Sequence, residues 1–134
     1  MDAQLDILSY IPQRPPFVFI DTIDEVSEKG ARTRFTIPES CPLVEDGVLP
    51  LSGLMENAAQ TCATMGNAAI LYIGEVKQMD VMRFPKIGET LRTEAKVIQE
   101  WLNILRVECI VKIQDETIAT TALKIATIID NATK

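Results

Sequence analysis

The sequence predicts an α+β fold in which an antiparallel sheet of five to six strands wraps around one long, buried helix. Three observations carry this. The segment from Ser52 to Ile73 has a continuous helical pattern, with no charged residue between Glu56 and Glu75. A helix that is apolar nearly all round is buried on most sides. Downstream, Asn103 to Gln114 alternates cleanly, with Leu105, Val107, Cys109, Val111 and Ile113 on one side and Arg106, Glu108 and Lys112 on the other. That is the pattern of an antiparallel strand with one wet face. No helical segment separates the last strands, so parallel βαβ winding does not fit.

The elements follow in order. Asp2 to Tyr10 is a short amphipathic helix with Leu5, Ile7 and Leu8 near one face, and the prolines between Pro12 and Pro16 stop it. Phe17 to Ser27, rich in Phe, Val and Ile, is a strand. Lys29-Gly30 makes the turn to its hairpin partner, Ala31 to Ile37. Pro38, Pro42, Gly47 and Pro50 punctuate a loop of about a dozen residues, a length that is usually functional or covered. Ser52 is the expected N-cap of the long helix, with Glu56 just past the capping-box position. Strands are then expected over Gln78 to Phe84, Thr90 to Glu100, Asn103 to Gln114 and Thr117 to Ile128. The 134 residues form a single domain, 1–134, large enough to bury about two thirds of its unfolded surface.

Charge and composition exclude several functions. Nineteen acidic residues against thirteen basic ones give a net charge of −6, the wrong sign for nucleic acid. Lys and Arg are scattered, with no basic run for a membrane surface. No stretch reaches the roughly eighteen apolar residues of a membrane span. The start, MDAQLDILSYIPQ, is acidic where a signal peptide is basic. Cys41, Cys62 and Cys109 are odd in number and far apart, so they fit neither a metal motif nor a disulfide framework. They are small hydrophobes suited to a reducing, cytoplasmic setting. The chain has no histidine, which removes the usual metal ligand and the usual general base together. No metal and no cofactor is expected.

Three segments narrow the reading: Ile11 to Asp21 (IPQRPPFVFID), Leu49 to Gln60 (LPLSGLMENAAQ) and Met82 to Glu89 (MRFPKIGE). In this order they resemble the 3-hydroxyacyl-acyl-carrier-protein dehydratases. Pro12, Arg14, Pro16, Phe17 and Asp21 fit that family's first motif. Pro50, Glu56, Ala59 and Gln60 fit its second. The resemblance implies a hotdog fold and a homodimer whose sheets join edge to edge. It also implies sites at the subunit interface, each taking a histidine from one chain and a glutamate from the other. Here the histidine position is Gln13, which cannot move a proton near neutral pH. The glycine whose N–H helps polarise the thioester carbonyl is replaced by Leu51, and a glycine stands two places on, at Gly53.

The resemblance therefore makes Glu56 and Gln13 the catalytic pair, with Leu51, Gly53 and Gln60 on the substrate side. Glu56 also stands out by itself, as a carboxylate near the start of an apolar helix, where the helix dipole favours it. The expected partner is an acyl carrier protein or a coenzyme A thioester. Both are negative near the phosphopantetheine arm, and Arg83 and Lys86 are the docking candidates, with Arg14 a weaker one. Three functions stay open. One is a dehydratase-like enzyme of a fatty-acid, polyene or polyketide-type pathway. Another is a thioesterase using Glu56. The third is a non-catalytic subunit that binds an acyl carrier or pairs with an active dehydratase.

Overall fold

The computed structural model describes residues 6–65 and 70–128. Its elements are β1 (Thr22–Val26), β2 (Gly30–Thr36), α1 (Leu51–Thr64), β3 (Ile70–Val81), β4 (Thr90–Trp101), β5 (Ile104–Ile113) and β6 (Glu116–Ile128). The six strands form one sheet in the order β1-β2-β4-β5-β6-β3, and every neighbouring pair is antiparallel. The expected helix-in-sheet α+β architecture is therefore present, at the upper of the two expected strand counts.

Alternation in the strands decides which face meets the helix. Ala31, Thr33 and Phe35 of β2 are buried, as are Leu91, Thr93 and Ala95 of β4 and Val107, Cys109 and Val111 of β5. The residues between them, such as Arg32, Arg34, Arg92, Glu94 and Lys112, are exposed. Two apolar clusters fill the space under the sheet. One gathers Phe19, Phe35, Ile37, Leu49, Leu54, Leu91, Val111 and Ile118. The other gathers Ala31, Ala58, Cys62, Met65, Ala95, Val107, Cys109 and Leu123. Full burial of a side chain such as Leu54 or Leu91 contributes on the order of 2 kcal/mol. The small side chains of the second cluster let α1 lie close to the sheet.

Several boundaries differ from those the sequence predicts. The long helix stops at Thr64, and Ile70 to Ile73 belong to β3, paired with Ile125 to Ile128 of β6. That run is β-branched and aromatic, and pairing with a neighbouring strand overrides the helical pattern. The N-cap is Pro50, not Ser52. It has no side-chain cap, and its carbonyl accepts the N–H groups of Gly53 and Leu54 at 3.0 and 3.1 Å. The expected first helix is only a 3₁₀ turn over Ile7–Ser9 capped by Asp6, and residues 2–5 lie outside the described residues. The expected strand from Phe17 begins only at Thr22. The strand expected over Gln78 to Phe84 begins at Ile70 and ends at Val81.

The long loop before α1 is largely exposed but tied down. Glu45 and Val48 pair across Asp46 and Gly47, both at positive φ, and Val48 pairs in turn with Lys86. The Leu49 N–H donates to the Pro85 carbonyl at 2.8 Å. The loop thus joins the β3–β4 connection to the start of α1.

Candidate active site

Glu56 lies in the second turn of α1, half-buried. Its Oε2 accepts a hydrogen bond of 2.9 Å from Nε2 of Gln60, one turn on. Gln60 is fully buried and uses all its polar atoms. Its Oε1 accepts the Phe19 N–H at 2.7 Å, and Nε2 also donates to the Phe17 carbonyl at 2.9 Å. A buried amide must be satisfied. Satisfying this one both steadies Glu56 and straps residues 17–20 to the helix. The backbone of Phe17 and Phe19 thus bonds to helix side chains and not to a neighbouring strand.

Asn57 strengthens the strap. Its Nδ2 donates to the Phe19 carbonyl at 2.8 Å, and its Oδ1 accepts from Thr93 Oγ1 at 2.5 Å. Thr61 donates to the Asn57 carbonyl at 2.8 Å, so Thr33, also 2.8 Å away, donates to Thr61. Thr33 and Thr93 are register partners in β2 and β4. The sequence places the polar Asn57 beside Glu56, but the motif reading passes over the threonines. The available signal was the run of polar residues at 57, 60, 61 and 64 on a helix otherwise apolar enough to be buried.

Gln13 lies on the chain leading into the strapped segment. It is half-buried, and its Oε1 is buried with no hydrogen-bond partner among the described residues. Arg14 shapes this turn, with Nη1 donating to the carbonyls of Ile11 and Gln13 at 2.9 and 2.8 Å. Among the described residues, no hydrogen bond joins Gln13 to Glu56 within one chain.

A cavity of about 170 Å³ opens beside Glu56 between α1, β3 and β6. Met55, Val76, Met79 and Leu123 supply apolar walls, and Ser52 and Glu56 supply polar atoms. Leu51, the first residue of α1, is 45% exposed. Helix geometry leaves its N–H and that of Ser52 without an intrahelical acceptor. Gly53 is buried with its N–H on Pro50, and a Cβ there would overlap the side chain of Leu49. Its lack of a side chain thus serves packing.

Arg83 and Lys86 lie beyond the helix start. Arg83 is gripped by two carboxylates, Glu89 at 2.9 and 3.2 Å and Glu116 at 3.1 Å. Those bonds, Glu89 first, raise its pKa further and keep it charged. Glu89 is correspondingly held below the ordinary carboxylate value by Arg83 and by the Lys86 N–H. The Lys86 side chain is exposed. Among the described residues no group of three His, Cys, Asp or Glu side chains could hold a metal ion, and no helix is long and apolar enough to cross a membrane.

Solved structures share this architecture. A chain of the dehydratase heterocomplex ApeI:P from Xenorhabdus doucetiae aligns with a TM-score of 0.85 at 15% identity, covering 96% of this chain and 94% of that one. An uncharacterized protein from Pyrococcus horikoshii aligns at 0.78 and 13% identity, covering 99% and 100%. A hypothetical thioesterase with coenzyme A from Streptococcus pneumoniae aligns at 0.70 and 8% identity, covering 79% and 84%. At these identities the likeness is one of fold, the hotdog fold. No curated protein sequence matches the chain. The family model described as ApeP dehydratase matches residues 5–133. With that match spanning nearly its whole length, this hotdog protein belongs to the ApeP-like dehydratase family.

Proposed function

We propose that this protein binds an acyl thioester in the cavity beside α1 and presents Glu56 to it, as one of two hotdog chains that share a dehydratase-type site. The observation that carries this is the Gln60–Glu56 bond at 2.9 Å beside a mostly apolar cavity. A carboxyl group held in place at such a wall can deliver a proton to the leaving 3-hydroxyl. The free N–H groups at the start of α1 and the helix dipole can stabilise the enolate-like oxygen.

Elimination also needs a base for the C2 proton, and this chain has no histidine to supply it. In a homodimer, the group opposite Glu56 would be the amide of a second Gln13. In a pair with a histidine-bearing hotdog chain, the opposite group would be an imidazole and that site would be complete. Phe17, Met82 and Phe84, exposed at 52%, 59% and 43% alongside the exposed Leu51, form apolar surface that supports a role facing another chain. A fold neighbour that is a dehydratase heterocomplex supports an unlike partner. The thioester's negative carrier end would be received by the exposed Lys86, with Arg83 behind it.

The test is turnover of a 3-hydroxyacyl-coenzyme A and a saturated acyl-coenzyme A side by side, with binding measured separately. Binding of both with only trace water loss from the first is the expected result for the chain alone. Rapid thiol release would make it a thioesterase instead, and failure to bind either thioester would end the proposal.

A further inference from the structure

Cys62, in the last turn of α1, and Cys109, in the middle of β5, face each other in the core with sulfurs 3.4 Å apart. Both are free and buried, and neither belongs to the site described above. The contact is that of two hydrogen-bonded thiols. A disulfide needs about 2.05 Å between sulfurs, so closing it takes an approach of roughly 1.3 Å. Small residues share the cluster: Ala58 on α1, Ala31 on β2 and Ala95 on β4. The third cysteine, Cys41, packs in the other cluster.

We propose that Cys62 and Cys109 are a latent disulfide, a modification site that a peroxide closes, tying the helix that carries Glu56 to the centre of the sheet. The chemistry balances without a further reactant. One sulfur attacks a peroxide oxygen, the O–O bond breaks, and a sulfenic acid and water form. The second sulfur then attacks the sulfenic sulfur, the S–O bond breaks, and the hydroxyl leaves as water with the second thiol's proton. The two thiols lose two electrons and two protons, and one hydrogen peroxide becomes two waters. The bond to Cys109, and then burial, hold the Cys62 thiol well above its ordinary pKa. The pair is therefore slow to react and stays reduced until oxidant persists.

The experiment exposes the native protein to hydrogen peroxide, alkylates remaining thiols in denaturant, and maps the peptides before and after dithiothreitol. The expected product joins the Cys62 and Cys109 peptides, leaves Cys41 outside the bond, and reverts with dithiothreitol. A bond closing a loop this long should also raise Tm by about 5 °C or more. The Cys41→Ala variant should keep both effects, and Cys109→Ala should lose both. The proposal is overturned if Cys62 and Cys109 remain fully alkylatable after prolonged exposure, if they end as separate sulfinic acids, or if Cys41 replaces either in the bond. The wild-type map decides this even where Cys109→Ala does not fold.

Discussion

Glutamine and histidine differ little in size, yet only histidine exchanges a proton near neutral pH. Gln13→His should therefore fit its half-buried place and raise water elimination from a 3-hydroxyacyl thioester by up to about 100-fold. Glu56→Gln in the same background should return the rate to baseline. An unchanged rate in a folded Gln13→His protein would remove the missing base as the explanation for weak turnover. A second residue-level prediction concerns Glu89. Arg83 and the Lys86 N–H hold its folded pKa below the ordinary 4.5 that it regains on unfolding. The stabilisation is thus complete above that value and shrinks as pH falls below it. It is lost once the folded carboxyl is protonated as well. Glu89→Gln should flatten the acid limb of stability as pH falls below 4.5, modestly because the pair is partly exposed. Urea midpoints across that range measure it, and an unaltered limb would refute it. Glu56 and Gln60 were legible as polar residues at i and i+4 on an apolar helix. The bonds of Asn57 were not, because a sequence does not say which buried backbone groups will lack a partner.

Among the elements, α1 shows how packing sets the sign of a substitution. Alanine usually improves a helix over glycine by about 1 kcal/mol. At Gly53 a methyl would overlap Leu49, which is itself fully buried and has little room to yield. Gly53→Ala should therefore cost about 1 to 3 kcal/mol, read as a lower urea midpoint at constant slope. A stabilised protein would show that Leu49 can repack. The strands β4, β5 and β6 were legible to within a residue or two, because alternation against a wet face is a local signal. The far end of α1 was not legible. Ile70 to Ile73 satisfy a helical pattern and a strand equally, and the choice is made by β6, more than fifty residues along the chain.

For the whole molecule, the sheet ends on one side at β3, twelve residues long with no neighbour on its outer edge among the described residues, and on the other at the five-residue β1. An unpaired strand of that length invites another chain. Sedimentation of the protein alone should give a dimer at micromolar concentration, and a histidine-bearing hotdog partner should displace the second copy. A stable monomer would count against both. The six-stranded wrap around one helix was legible in the sequence, but the chain that β3 meets was not, since a partner leaves no pattern in this sequence. The two edges also limit how far association can run. β3 shifts register twice, between Ile73 and Glu75 and between Val76 and Gln78. Pairing with one copy uses up that edge. What then remains at each flank is β1, short, kinked between Ile23 and Glu25, and bearing Asp24 and Glu25. Bulges and charge of this kind refuse a further strand. A sheet open to fibrous growth is thus terminated after a single pairing, and a surplus of this chain should remain as discrete particles rather than seed filaments.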